Sequence, residues 1–127
     1  MAVLLLTTVI VSFLAALITH KYMASRMRHK VQAIYVAERI IEEQRRKPFA
    51  NLVSLNYGAV TIDTMGTFNT TADDYPGSAL VTVTNLDAYR RRVKVEVDWT
   101  EHSPIGGAKL NMKEFCSTDI ADEPQLN

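Results

Sequence analysis

The sequence predicts an α+β protein: a long N-terminal helix, apolar in its first half and amphipathic in its second, packed on a small antiparallel sheet. Three observations predict it. Residues Ala2 to Thr19 carry no charge, glycine or proline. No helix breaker then appears before Pro48, and apolar residues recur at spacings of three and four. Beyond residue 78 the pattern changes to alternation of apolar and polar residues in successive runs, the period of a strand with one buried face.

The first element, residues 1–19, reads as a membrane span. At about 1.5 Å per residue its helix is roughly 27 Å long, close to a bilayer core of about 30 Å. Leu4, Leu5, Leu6, Ile10, Val11, Phe13, Leu14, Leu17 and Ile18 are its lipid-facing side chains. Thr7, Thr8 and Ser12 are tolerated there because a hydroxyl can bond the carbonyl one turn back. The run is longer than a signal-peptide apolar region, and Tyr22-Met23-Ala24 puts a bulky residue where a cleavage site needs a small one. The span is therefore expected to be retained. His20, Lys21 and Tyr22 suit the lipid–water boundary.

The second element, residues 20–47, continues the helix. Met23, Met27, Val31, Ile34, Ala37 and Ile41 form an apolar stripe, widened by Ala33, Val36 and Ile40. Arg28, Gln32, Glu38, Arg39, Glu42, Glu43 and Arg46 make the polar face. Pro48 ends the helix, because the residue before a proline avoids the α region.

Residues 48–78 are rich in turn formers and read as a connecting loop, with a short strand at Ala59 to Ile62 and a turn at Tyr75-Pro76-Gly77. Residues 79–116 read as an antiparallel meander. Val81 and Val83, then Val93, Val95, Val97 and Trp99, then Leu110 and Met112, alternate with polar neighbours. Residues 117–127 read as a polar, acidic tail. The helix and the sheet each have one apolar face that neither can bury alone. Docking is therefore expected between Met27, Val31, Ile34 and Ile41 on the helix and Val93, Val95, Val97 and Trp99 on the sheet.

Little points to chemistry. The 14 basic and 14 acidic residues balance, so composition gives no reason to expect nucleic acid as partner. His20, His29 and His102 are dispersed, and there is no zinc pattern, nucleophile elbow or phosphate loop. No catalytic, cofactor or metal residues are assigned, and the chain is not expected to be an enzyme. Asp73-Asp74 fits a solvated loop better than a calcium site. Arg90-Arg91-Arg92 fits a charge-protected strand edge better than a phosphate contact. Asn69-Thr70-Thr71 matches the glycosylation triplet. Cys116 has no partner for an intrachain disulfide, being the sole cysteine.

Helix, loop and sheet in this order resemble a type IV pilin, within that family a minor pilin or a type II secretion pseudopilin. Met1-Ala2-Val3-Leu4-Leu5-Leu6 resembles the middle of the family's apolar segment. The run from Ala37 through Glu38, Arg39, Ile40, Ile41, Glu42, Glu43, Gln44, Arg45, Arg46 and Lys47 to Pro48-Phe49 resembles the stretch that closes its helix. Val93-Lys94-Val95-Glu96-Val97-Asp98-Trp99-Thr100 resembles its penultimate strand. The family's basic leader, cleavage glycine and following glutamate have no counterpart in the sequence, so no processing residue is carried over. Either translation starts at Met1, or the start lies upstream of an internal methionine.

The resemblance implies a structural subunit inserted singly in the bacterial inner membrane, its sheet outside the cytoplasm. It also implies other pilin or pseudopilin subunits as partners through the N-terminal helix, with inner-membrane lipid around the span. Lys21, Arg26, Arg28 and Lys30 argue the opposite orientation by the positive-inside rule. The alternative is an unrelated single-pass protein with a small binding or sensor domain.

Overall fold

The computed structural model describes residues 1–66, 72, 74–103 and 106–122. One helix, α1 (Ala2–Arg45), is followed by a single 3-10 turn at Phe49–Asn51. Four strands follow: β1 (Leu55–Asp63), β2 (Tyr75–Asn85), β3 (Arg90–His102) and β4 (Lys109–Ala121). They form one sheet in the order β1-β2-β3-β4, every neighbour antiparallel. The second half of α1 lies across one face of that sheet. This is the α+β architecture that the sequence predicts.

The helix is 44 residues long because nothing in its sequence interrupts it. In the apolar half, Thr7, Thr8, Ser12 and Thr19 each donate a hydroxyl to a carbonyl three or four residues back, at 2.8 to 3.1 Å. In the second half the buried residues are His29, Ala33, Val36, Ala37, Ile40, Ile41 and Gln44. They share a core with Leu52, Val60, Ile62, Ala79, Val81, Val93, Val95, Val97 and Trp99.

The docking face differs from the expected stripe. Ile41 is buried and Ile34 half-buried, but Met27 and Val31 are 64% and 49% exposed. At about 100° per residue, those two lie between a third and a half of a turn from Ala33 and Ile40. The reason is size. Ala33 and Ala37 let the helix backbone approach the sheet, and Val93, Val95, Val97 and Trp99 fill the space above them. Met23, Met27 and Val31 are left as a second apolar surface on the side away from the sheet, and Tyr35, also exposed, continues it along a cleft beside β1.

The segment expected as a loop holds a full strand and the start of another. β1 spans nine residues, with a break in register between Asn56 and Gly58 that interrupts its alternation. Gly58 has φ 86°, a conformation that favours glycine. Tyr75-Pro76-Gly77 is not a turn but the first three residues of β2. Pro76 is accommodated near the strand's start, beside the second break in β1 register. Gly77 allows close packing: a Cβ there would lie 2.7 Å from the Ile62 side chain and 2.8 Å from the Asp98 carbonyl. β4 also runs to Ala121, so Ser117 to Ala121 belong to the sheet and not to a tail. Residues 123–127, Asn69-Thr70-Thr71 and Asp73 lie outside the described residues.

Candidate functional site

The first functional surface is the apolar half of α1. Leu4, Leu5, Leu6, Ile10, Val11, Phe13, Leu14, Leu17 and Ile18 are all exposed, and none packs on the domain. The helix is long and apolar enough to cross a membrane. Beyond Thr19 the same rigid rod carries Met23, Met27, Val31 and Tyr35 outward, so apolar surface continues past the span along one side. Of the basic residues that follow the span, Arg28 and Lys30 are engaged by the sheet. Arg28 pairs with Asp63 and Lys30 with Glu114, at 2.6 and 3.1 Å.

The second is a buried polar cluster at the end of the domain nearer the span, about 15 Å beyond Thr19 along the helix. His29 projects from α1 and is 4% exposed. Its Nδ1 lies 2.7 Å from Glu101 Oε1, and its ring stacks on Tyr75 with centroids 4.0 Å apart. Trp99 Nε1 donates to the same Glu101 oxygen at 2.8 Å. The Tyr75 hydroxyl donates to the Thr100 carbonyl and reaches Glu101 Oε2 at 3.3 Å. On the other side of the imidazole, Nε2 is 3.9 Å from Asp63 Oδ2. Asp63 is held by Arg28 through both oxygens, at 2.6 and 2.9 Å, and accepts the Met65 amide at 2.8 Å. Burial, then the charge of Glu101 and the hydrogen bond to it, push the Tyr75 phenol up to about 12.

Each residue arrives there by alternation or by helical phase. Val93, Val95, Val97, Trp99 and Glu101 occupy successive inward positions of β3. Glu101 thus continues the core face of the strand with a carboxylate, which is costly unless it is paired. His29 is one turn before Ala33 on the buried side of α1. The sequence places Trp99 on the docking face, but it reads His29 as one of three dispersed histidines and Tyr75 as part of a turn, and gives Asp63 and Glu101 no role. The parity of Glu101 with the valines was the one available signal.

The opposite end of the domain explains the arginine run. Arg91 donates to the carbonyls of Phe49 and Leu52 at 2.7 and 3.0 Å and lies over the Phe49 ring. Arg90 pairs with Asp87, and Arg92 with Asp119 on β4, both at 2.7 Å. All three hold local structure. Cys116 is half-buried against the core and lines a cleft of about 280 Å³ with Ile41 and Arg45.

The solvent face of the sheet bears a groove of about 710 Å³, lined by Pro76, Ser78, Asp98, Thr100, Asn111 and Lys113 among others. Lys113 sits 3.5 Å from both Asp98 and Glu96, whose charges raise its ammonium. Among the described residues, no group of three or more His, Cys, Asp or Glu is placed to hold a metal ion. Comparison with protein-family models, with curated proteins and with solved structures gives no match.

Proposed function

We propose that this chain is a structural subunit of a membrane-anchored filament, a minor pilin or pseudopilin, inserted by the first half of α1 with its sheet outside the cytoplasm. The observation that carries the reading is the unbroken helix with two kinds of exposed apolar surface. Ala2 to Thr19 is bare all round, as a lipid-embedded segment must be. Met23, Met27, Val31 and Tyr35 then offer a narrower apolar strip outside the span, which a neighbouring helix of the same orientation would cover. A rigid rod that is apolar in and beyond the bilayer suits a subunit whose neighbours are present in both places.

The second reading is a single-pass protein with a cytoplasmic binding or sensor domain. The positive charge after the span favours it.

Cysteine crosslinking in cells separates the two. In a Cys116→Ser background, Met27→Cys or Val31→Cys on the uncovered strip should give crosslinked oligomers, and Thr82→Cys on the opposite side of the sheet should not. Monomers throughout, with the chain present in the membrane, would refute the filament reading.

A further inference from the structure

Asp63 and Glu101 are both buried, 5% and 4% exposed, and one permanent cation, Arg28, reaches this site. Arg28 is committed to Asp63. Glu101 is served by His29, Trp99 and Tyr75. At 2.7 Å from a carboxylate oxygen, His29 Nδ1 must carry a hydrogen, because an ionised carboxylate only accepts. In a neutral ring Nε2 is then a bare lone pair. It is buried, has no hydrogen-bond partner, and faces Asp63 Oδ2 at 3.9 Å. Two acceptors would confront each other out of water, with one negative charge in excess. A second proton on the imidazole removes both defects. It puts a hydrogen on Nε2, 3.9 Å from Asp63 Oδ2, and matches the charges of Asp63 and Glu101 with Arg28 and the imidazolium.

We propose that His29 is a proton-dependent clasp between the helix and the sheet: as imidazolium it ties α1 to β1 through Asp63 and to β3 through Glu101, and on losing its proton it releases the membrane-proximal end of the domain. The other ionisable groups around the ring do not supply the missing charge. Tyr75 of β2 stacks on it and is neutral. On α1, Arg26 is directed to the Met112 sulfur of β4, and Lys30 to Glu114 of β4. The Tyr22 hydroxyl is buried without a partner and is no cation, and Asp74, next to Tyr75 in the chain, has a buried unpartnered Oδ1 and adds a carboxylate, not a cation. The folded chain then binds one more proton than the unfolded chain, so its stability falls as pH rises. The inference concerns the domain's own docking and does not depend on the filament reading.

The test is thermal melting of the full chain in detergent micelles, followed by circular dichroism, between about pH 5.5 and about pH 8. The midpoint should fall by about 4–8 °C across that range. His29→Gln should be flat across it. Glu101→Gln removes one negative charge while keeping an acceptor for Nδ1–H, and should at least halve the pH response with the fold intact. His20→Gln and His102→Gln, both at exposed positions, should leave the response unchanged. A wild-type midpoint that does not move, or a response that survives in His29→Gln, would overturn the clasp. If His29→Gln does not fold, nitrogen-15 resonances of the wild-type imidazole decide. Hydrogen on both ring nitrogens at about pH 7.5, where an ordinary imidazole is mostly neutral, supports it, and a bare Nε2 there refutes it.

Discussion

Midway along the sheet, Val81, Val93, Val95 and Val97 have no exposed surface, and they share a core with Ala33, Ala37 and Ile40 of the helix. At the end of the same face nearer the apolar half of α1, the inward positions are taken by Trp99, Glu101, Tyr75, Asp63 and His29. Both regions join one helix to one sheet, and both are shielded from water. The middle holds by burial, which is non-directional and tolerates small adjustments. The end holds by hydrogen bonds and charge, which fix angles and partners and penalise any group left out. A domain carried on a long helix that is apolar in its first half gains from having both. The aliphatic middle supplies stability, and the polar end sets the helix's rotation and height against the sheet, because only one phase of α1 brings His29 between Asp63 and Glu101.

The largest effect is expected where the two regions meet. Trp99 belongs to both: its ring lies in the core and its Nε1 donates to Glu101. Trp99→Ala should destabilise the domain by about 3–5 kcal/mol. Val95→Ala, in the wholly apolar middle, should cost about 2 kcal/mol. Chemical unfolding of the full chain in micelles measures both. A loss at Trp99 no larger than that at Val95 would mean that the indole is not anchored at the junction, and the contrast between the regions would fail.

The distal end offers a smaller contrast of the same kind. Arg91 satisfies two carbonyls and stacks on Phe49, whereas Arg90 makes an exposed pair within its own turn. Arg91→Ala should cost about 1–3 kcal/mol, and Arg90→Ala less than about 1 kcal/mol. Indistinguishable variants would show that Arg91 does not hold the loop from Lys47 to Ser54.

The two regions were unequally legible in the sequence. Val93 to Trp99 announced a half-buried strand, because strict alternation has few other uses. The helix announced itself by length and by lack of breakers, but not its phase. Met23, Met27, Val31 and Ile34 obey the same spacing as the face that is buried, and apolar spacing cannot rank two adjoining faces. Ala33 and Ala37 decided it, through the close approach they permit. Most of β1 was hidden because the irregularity at Gly58 shifts its alternation midway. The end of β4 was hidden because Ser117, Thr118 and Asp119 look like a tail until Arg45 and Arg92 are seen bonding Thr118 and Asp119. The polar cluster was least legible of all. Its members come from α1, β1, β2 and β3, and hydrophobic patterning treats a polar residue as a surface residue by default.

Tyr75 gives the finest test of the contrast, because it makes one region answer to alkaline pH and leaves the other indifferent. Its phenol is pushed up to about 12, against about 10 for a tyrosine in an unfolded chain. Between those values the folded chain retains a proton that the unfolded chain has lost. The stabilisation tied to that proton is therefore complete below about pH 10 and disappears as pH rises towards about 12. Lysines titrate in the same window, so the wild-type curve alone is ambiguous. The difference between wild type and Tyr75→Phe is not, since the lysines are common to both. At neutral pH, Tyr75→Phe should be the less stable, because the Thr100 carbonyl and Glu101 Oε2 lose the phenol's hydrogen. That gap should narrow as pH climbs from about 9 to about 12, while the gap between wild type and Val95→Ala stays constant. A Tyr75→Phe gap that also stays constant would mean that the phenol ionises alike in the folded and unfolded chains. The polar end would then be no better shielded from hydroxide than the surface.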